Sequence, residues 1–122
     1  MTIDMAINQV DDLFPNSYER KQKVEWLSRL ESMIYRTVIS LHEGDDEPFV
    51  PFTDDTPGDT ELTMQEPYTE GYINWLQAQI CFANQEIDKY NSAIVLFNTS
   101  LDGFKAEYVR GHVPKAAGPF LF

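Results

Sequence analysis

INWLQAQICFANQEIDKYNSAIVLFNTSLDGFKAEY, residues 73–108, is the stretch whose reading decides the fold. Ile73, Leu76, Ile80, Ala83, Ile87, Tyr90, Ile94, Phe97, Leu101, Phe104 and Tyr108 step by three and four in strict alternation. At 3.6 residues per turn this spacing lines all of them along one side of a helix, and a helical stripe is predicted over the whole stretch. As one continuous helix it would span about 54 Å at 1.5 Å per residue, well beyond the usual globular length. Asn91-Ser92, Asn98-Thr99-Ser100 and Gly103 are weak helix formers, so a kink or short break is expected between residues 91 and 103. Pro67 suits the first turn of this helix, where its missing N–H would have no partner. Gly111 suits a C-cap, and Pro114 a stop.

Working outward, Ile3, Ala6, Ile7, Val10 and Leu13 also recur at helical spacing, with Thr2 as N-cap, Asp4 in the first turn and Pro15-Asn16 as the end. Ser17 offers a second N-cap, followed by Val24, Leu27, Leu30, Ile34, Val38 and Leu41 on a common side. A second helix is expected over roughly 18–42. Between the helical segments lie residues 43–66, where Gly44, Pro48, Pro51, Pro57 and Gly58 alternate with acids and resist helix and central strand alike. This long loop is expected to be functional or disordered, with Phe49, Val50 and Phe52 pinning part of it and residues 61–64 extended. The predicted fold class is all-α: a small helical bundle with two N-terminal helices, the acidic loop, the long third helix and a C-terminal tail. At 122 residues it fits one domain, residues 1–114, followed by a tail at 115–122.

Composition bounds the function. The formal charge is −11, and residues 43–66 hold nine acids and no base, accounting for −9 of it. Affinity for phosphates comes from clustered Lys and Arg, and the nine such residues here are scattered, which argues against a nucleic-acid binder. Cys81 is the only cysteine, so a disulfide within the chain is impossible, thiolate zinc is disfavoured, and a reducing, cytosolic setting fits. Met1-Thr2-Ile3-Asp4 lacks the features of a signal peptide, and no apolar run approaches eighteen residues; the expectation is a protein neither secreted nor membrane-spanning.

Enzymatic constellations are missing from the sequence. It offers no Ser-His-Asp order, no Gly-rich phosphate loop and no histidine pair at ligand spacing. His42 and His112 each fit the negative end of a helix better than catalysis. Cys81, between Ile80 and Phe82 with no nearby cation in sequence, reads as a structural thiol. The acids come as adjacent pairs, Asp45-Asp46 and Asp54-Asp55, instead of the alternating carboxylates of a calcium loop. No catalytic residue, cofactor or metal is expected. Asn98-Thr99-Ser100 matches the glycosylation pattern without the secretion signal that would make it meaningful.

Two features point to partners. Trp75, Phe82, Val95 and Leu96 flank the seam and widen the stripe beyond what two short helices cover, so they are expected at a subunit interface or in the core. Phe120-Leu121-Phe122 places three large apolar residues together in the tail, to fold back on the body or to enter a partner's pocket.

Tyr72-x-x-x-Leu76-x-Ala78-Gln79-Ile80, Asn84-x-Glu86, Tyr90-Asn91, Phe97-Asn98, Phe104, Tyr108 and Pro114 carry a resemblance, joined by Ile3, Ile7, Val10, Pro15-Asn16 and Trp26-Leu27. Over most of positions 2–114 the chain resembles the small α-helical head-to-tail connector, or adaptor, proteins of tailed bacteriophages and prophages. The resemblance implies a non-enzymatic homo-oligomer, a ring of about twelve copies. Such a ring sits at the neck of the virion after assembly in the bacterial cytoplasm. It would bind the portal protein on one side and a stopper or tail-completion protein on the other, while DNA passes through without specific binding. It also implies a docking role for the tail, here Lys115, Gly118, Pro119, Phe120, Leu121 and Phe122. The acidic loop has no counterpart motif. Acids facing a channel would repel phosphate, which makes Asp45, Asp46, Asp54, Asp55 and Asp59 candidates for the channel or the ring's rim. The alternative is a regulatory protein, an acidic nucleic-acid mimic filling a partner's basic groove.

Overall fold

The computed structural model describes residues 1–44 and 47–115. Asp45, Asp46 and the tail residues Gly118, Pro119, Phe120, Leu121 and Phe122 lie outside the described residues. The described chain is all-α, with four α-helices, α1 (Ile3–Leu13), α2 (Arg20–Thr37), α3 (Glu70–Ala83) and α4 (Ile87–Gly111), and a 3-10 turn at Ile39–Leu41. Among the described residues there is no strand, only isolated antiparallel bridges at Thr2–Glu61 and His42–Pro114.

Helix α1 follows its sequence signals. Ile3, Ala6, Ile7 and Val10 are buried, and the Thr2 hydroxyl accepts from the Met5 N–H at 3.1 Å, supplying one of the acceptors that a helix start lacks. Helix α2 begins later than its spacing suggested: the N-cap is Glu19 without a side-chain cap bond, so Ser17 does not cap it. It also ends earlier, tightening at Val38 into the 3-10 turn, and only Leu41 of its stripe is exposed.

The long third helix is corrected most. It is two helices, α3 and α4, folded back on each other, and the break lies at Asn84-Gln85-Glu86, ahead of residues 91–103. The Glu86 N–H donates to the Cys81 carbonyl at 2.8 Å and the Gln85 N–H to the Phe82 carbonyl at 3.0 Å. This is the paired closure of a Schellman motif, which needs a left-handed residue, and Gln85 adopts φ of 62° without being glycine. The three-and-four rhythm survives because both arms of the hairpin turn their stripes inward.

Two of the weak helix formers of α4, Ser100 and Gly103, serve close packing. A Cβ on Gly71 of α3 would crowd Ser100 of α4, and one on Gly103 would crowd the ring of Tyr68. Small residues at 71, 100 and 103 thus let α3, α4 and the turn before α3 approach closely, and α4 runs unbroken through them. Pro67 precedes α3 in a turn closed by the Tyr68 N–H on the Gln65 carbonyl at 2.8 Å, with the helix starting at Glu70.

Helix α3 is the central element, with Tyr72, Ile73, Asn74, Leu76, Ala78, Ile80 and Cys81 buried around most of its girth. It packs on α4 along one flank and on α1 and α2 along the other. Residues 47–66 are tied down rather than free: the Ile3 and Asp4 N–H groups donate to the Thr60 and Gly58 carbonyls at 3.1 and 3.0 Å, and the Leu62 N–H donates to the Met1 carbonyl at 2.9 Å. Leu62 and Met64 are fully buried core residues.

Candidate functional site

What fastens the acidic loop is a buried carboxylate. Glu31, on the core side of α2, accepts from the Thr63 N–H and hydroxyl and from the Tyr72 hydroxyl at 2.5 Å. The Tyr72 oxygen in turn accepts from the Met64 N–H at 2.7 Å. Burial pushes the Glu31 carboxyl above the ordinary carboxylate range, and the bonds from Thr63 and Tyr72 oppose that rise. Burial and the neighbouring Glu31 charge hold the Tyr72 phenol protonated. A buried acid with each oxygen supplied by donors is a structural clamp between α2, α3 and the loop. Glu31 and Thr63 were not singled out by sequence, and Tyr72 only as part of the resemblance, because a Glu inside an amphipathic helix looks like any solvated acid.

The loop's first half is held separately. The Phe52 N–H donates to the Ser28 hydroxyl at 3.0 Å, and the Phe49 and Phe52 rings meet edge-on at 5.4 Å; Val50 is exposed. Asp54, Asp55 and Asp59 are exposed on a loop fixed at both flanks. Lys23 is the one deeply buried cation among the described residues, its ammonium donating to Asp11 at 2.6 Å and to the Tyr18 carbonyl at 2.9 Å.

The four stripe-flanking residues separate. Trp75 is partly buried against the core: its indole N–H donates to the Trp26 carbonyl at 2.9 Å and its ring meets Phe97 at 5.1 Å. Phe82, Val95 and Leu96 are 59%, 63% and 56% exposed, and Ile87 at the hairpin turn is 52% exposed. Phe82 leans on Tyr90, ring centres 5.4 Å apart. The stripe residues Ala83 and Ile87, on either side of the α3–α4 turn, are exposed.

A second surface lies on α2. Arg29, Met33 and Arg36 share its outward side, and with Pro51 and Phe52 they line an open groove of about 730 Å³. Arg29 is engaged by Glu25 at 2.9 Å, whereas no carboxylate among the described residues bridges Arg36.

At the far end, the chain leaving α4 pairs with the chain leaving α2. The Glu43 N–H donates to the Val113 carbonyl at 2.8 Å and the Lys115 N–H to the Leu41 carbonyl at 2.9 Å. His42 and His112 place Nδ1 against the Val38 and Tyr108 carbonyls at 2.6 and 2.8 Å, and His112 stacks on Tyr108 with ring centres 3.7 Å apart. Both imidazoles serve helix ends. Lys115, the first tail residue, is thereby rooted beside Leu41.

No known protein family, curated protein or solved structure matches the chain. The surfaces are therefore read from their own chemistry. Among the described residues no three His, Cys, Asp or Glu side chains gather in a metal-holding group, and no helix is long and apolar enough to cross a membrane. Burial, with the nearby Glu86 charge, pushes the Cys81 thiol up, leaving it a poor nucleophile.

Proposed function

We propose that this chain is a non-enzymatic assembly protein, a head-to-tail connector of a tailed bacteriophage or prophage that forms a ring between portal and tail. The observation that carries the reading is the apolar surface left open on the α3–α4 hairpin, where Phe82, Ile87, Val95 and Leu96 are exposed beside a core that other residues fill. Large exposed apolar side chains along one hairpin favour contact with another chain. The sequence resemblance supplies the kind of assembly, and the charge is compatible with it. In a conduit, Asp54, Asp55 and Asp59, and by sequence Asp45 and Asp46, would face the lumen or rim and repel passing phosphates. Clamping through Glu31 and Ser28 would hold that acidic surface in a fixed place. The tail rooted at Lys115 beside Leu41 would reach the portal or a neighbouring copy from the end of the bundle remote from the α3–α4 turn. The chain so read comprises one connector domain, 1–114, and a docking tail, 115–122.

The test is self-association on a portal template. Light scattering and electron microscopy of the purified chain with portal rings from the same virus are expected to show a closed ring of many copies. Phe82→Ser with Ile87→Ser should keep the fold and lose the ring. A stable monomer in both settings would reject the reading.

A further inference from the structure

We propose that the α3–α4 turn of one copy seats in the α2 groove of the next, Ile87 against Met33 and Phe52 and Asp88 against Arg36, joining copies head to tail. The inference rests on the ring reading and specifies its interface.

The groove has an apolar floor and a cationic edge. Met33 and Phe52 are partly buried and packed against the core, while Arg36 is exposed and bridges no carboxylate among the described residues. In a chain of charge −11, an exposed unpaired arginine beside apolar side chains calls for an occupant carrying an apolar group next to an acid. Ile87-Asp88 offers that pair at the exposed α3–α4 turn. Ile87 is 52% exposed, Asp88 is exposed in the first turn of α4, and no cation among the described residues bridges the Asp88 carboxylate. Phe82 and Tyr90, in ring contact across the same turn, add apolar surface beside them.

A copy cannot fill its own groove. The turn is anchored at the start of α2, where the Tyr18 hydroxyl donates to Asn84 at 2.6 Å. Met33 and Arg36 lie roughly 20 to 24 Å further along that helix at 1.5 Å per residue. Turn and groove are distinct surfaces, so their contact is heterologous, and a heterologous contact that closes makes a ring. The groove, at about 730 Å³, is of the size that admits several side chains.

The test is cross-linking between two full-length variants, Met33→Cys and Ile87→Cys, mixed in equal amounts and mildly oxidised, alone and with portal rings of the same virus. The unmodified chain, which carries only Cys81, sets the background. A mixed disulfide between the two variants, exceeding either homodimer, is expected. Adding Arg36→Asp to the Met33→Cys chain should abolish it, and adding Asp88→Arg to the Ile87→Cys chain should restore it. An oligomer seen by light scattering without the mixed disulfide would overturn this interface and leave the ring reading standing. Absence of any oligomer in both settings would overturn both.

Discussion

Replacing Tyr72 by Phe removes one oxygen and leaves the ring's packing in place, so its cost isolates the clamp that holds the acidic loop. Two bonds go with that oxygen: its donation to Glu31 at 2.5 Å and its acceptance from the Met64 N–H at 2.7 Å. Met64 is fully buried, so its N–H gains no water in exchange. A buried orphan donor costs about 1–3 kcal/mol and a hydrogen bond to a charged group contributes about 1.5–3 kcal/mol. Because Thr63 still donates to Glu31, the combined loss should be about 3 kcal/mol, a large share of the roughly 5–15 kcal/mol that holds a domain together. Urea unfolding followed by the fluorescence of Trp26 and Trp75 measures it. With a slope of about 1–3 kcal/mol per molar urea, the midpoint should fall by about 1–3 M at unchanged slope. A fall below about 0.3 M would mean that the carboxylate, Thr63 and Tyr72 do not act as a clamp.

Glu31→Gln tests the same site through pH. Burial raises the folded carboxyl above its ordinary 4.5, so the folded state holds that proton more tightly than the unfolded chain. The group's contribution is then fully present below pH 4.5 and is lost as pH rises through the raised value. The stability of the unmodified chain relative to Glu31→Gln should therefore decline from pH 4 toward neutrality, and a rising difference would contradict the burial argument. Gln85→Gly should stabilise the hairpin by about 0.5–1 kcal/mol, since glycine adopts a positive φ without a Cβ penalty; thermal unfolding reads the gain. Asp11→Ala should cost about 2 kcal/mol, because it leaves the buried Lys23 ammonium with only the Tyr18 carbonyl. Lys23→Met, which keeps the stem's packing and removes the charge, should cost less in the same denaturation assay. Gly103→Val should destabilise by about 1–3 kcal/mol through its clash with the Tyr68 ring.

Helical periodicity was enough to find α1, the body of α2 and the inward faces of α3 and α4, because those residues are buried for the reason the spacing implies. It could not locate the hairpin turn. Gln85 carries none of the glycine signal that usually marks a left-handed cap, and a three-residue turn leaves a rhythm of three and four intact. Gly103 and Ser100 misled in the other direction, since a small residue that weakens an isolated helix also admits a close neighbour. Leu62 and Met64 sit among acids and prolines with no periodic context, so their burial is a tertiary fact. The same holds for Glu31, whose burial depends on Thr63 and Tyr72 arriving from distant parts of the chain. Of the candidate interface residues, Phe82, Val95 and Leu96 are surface residues, while Trp75 packs partly buried against the core with its indole N–H on the Trp26 carbonyl.

The most direct measurement of the proposed assembly is the mass and symmetry of the particle formed when the full chain meets portal rings of the same virus. The proposal predicts one closed ring of copies seated on each portal, with DNA neither required nor retained. A particle holding the chain as isolated monomers, or no particle at all, would contradict it.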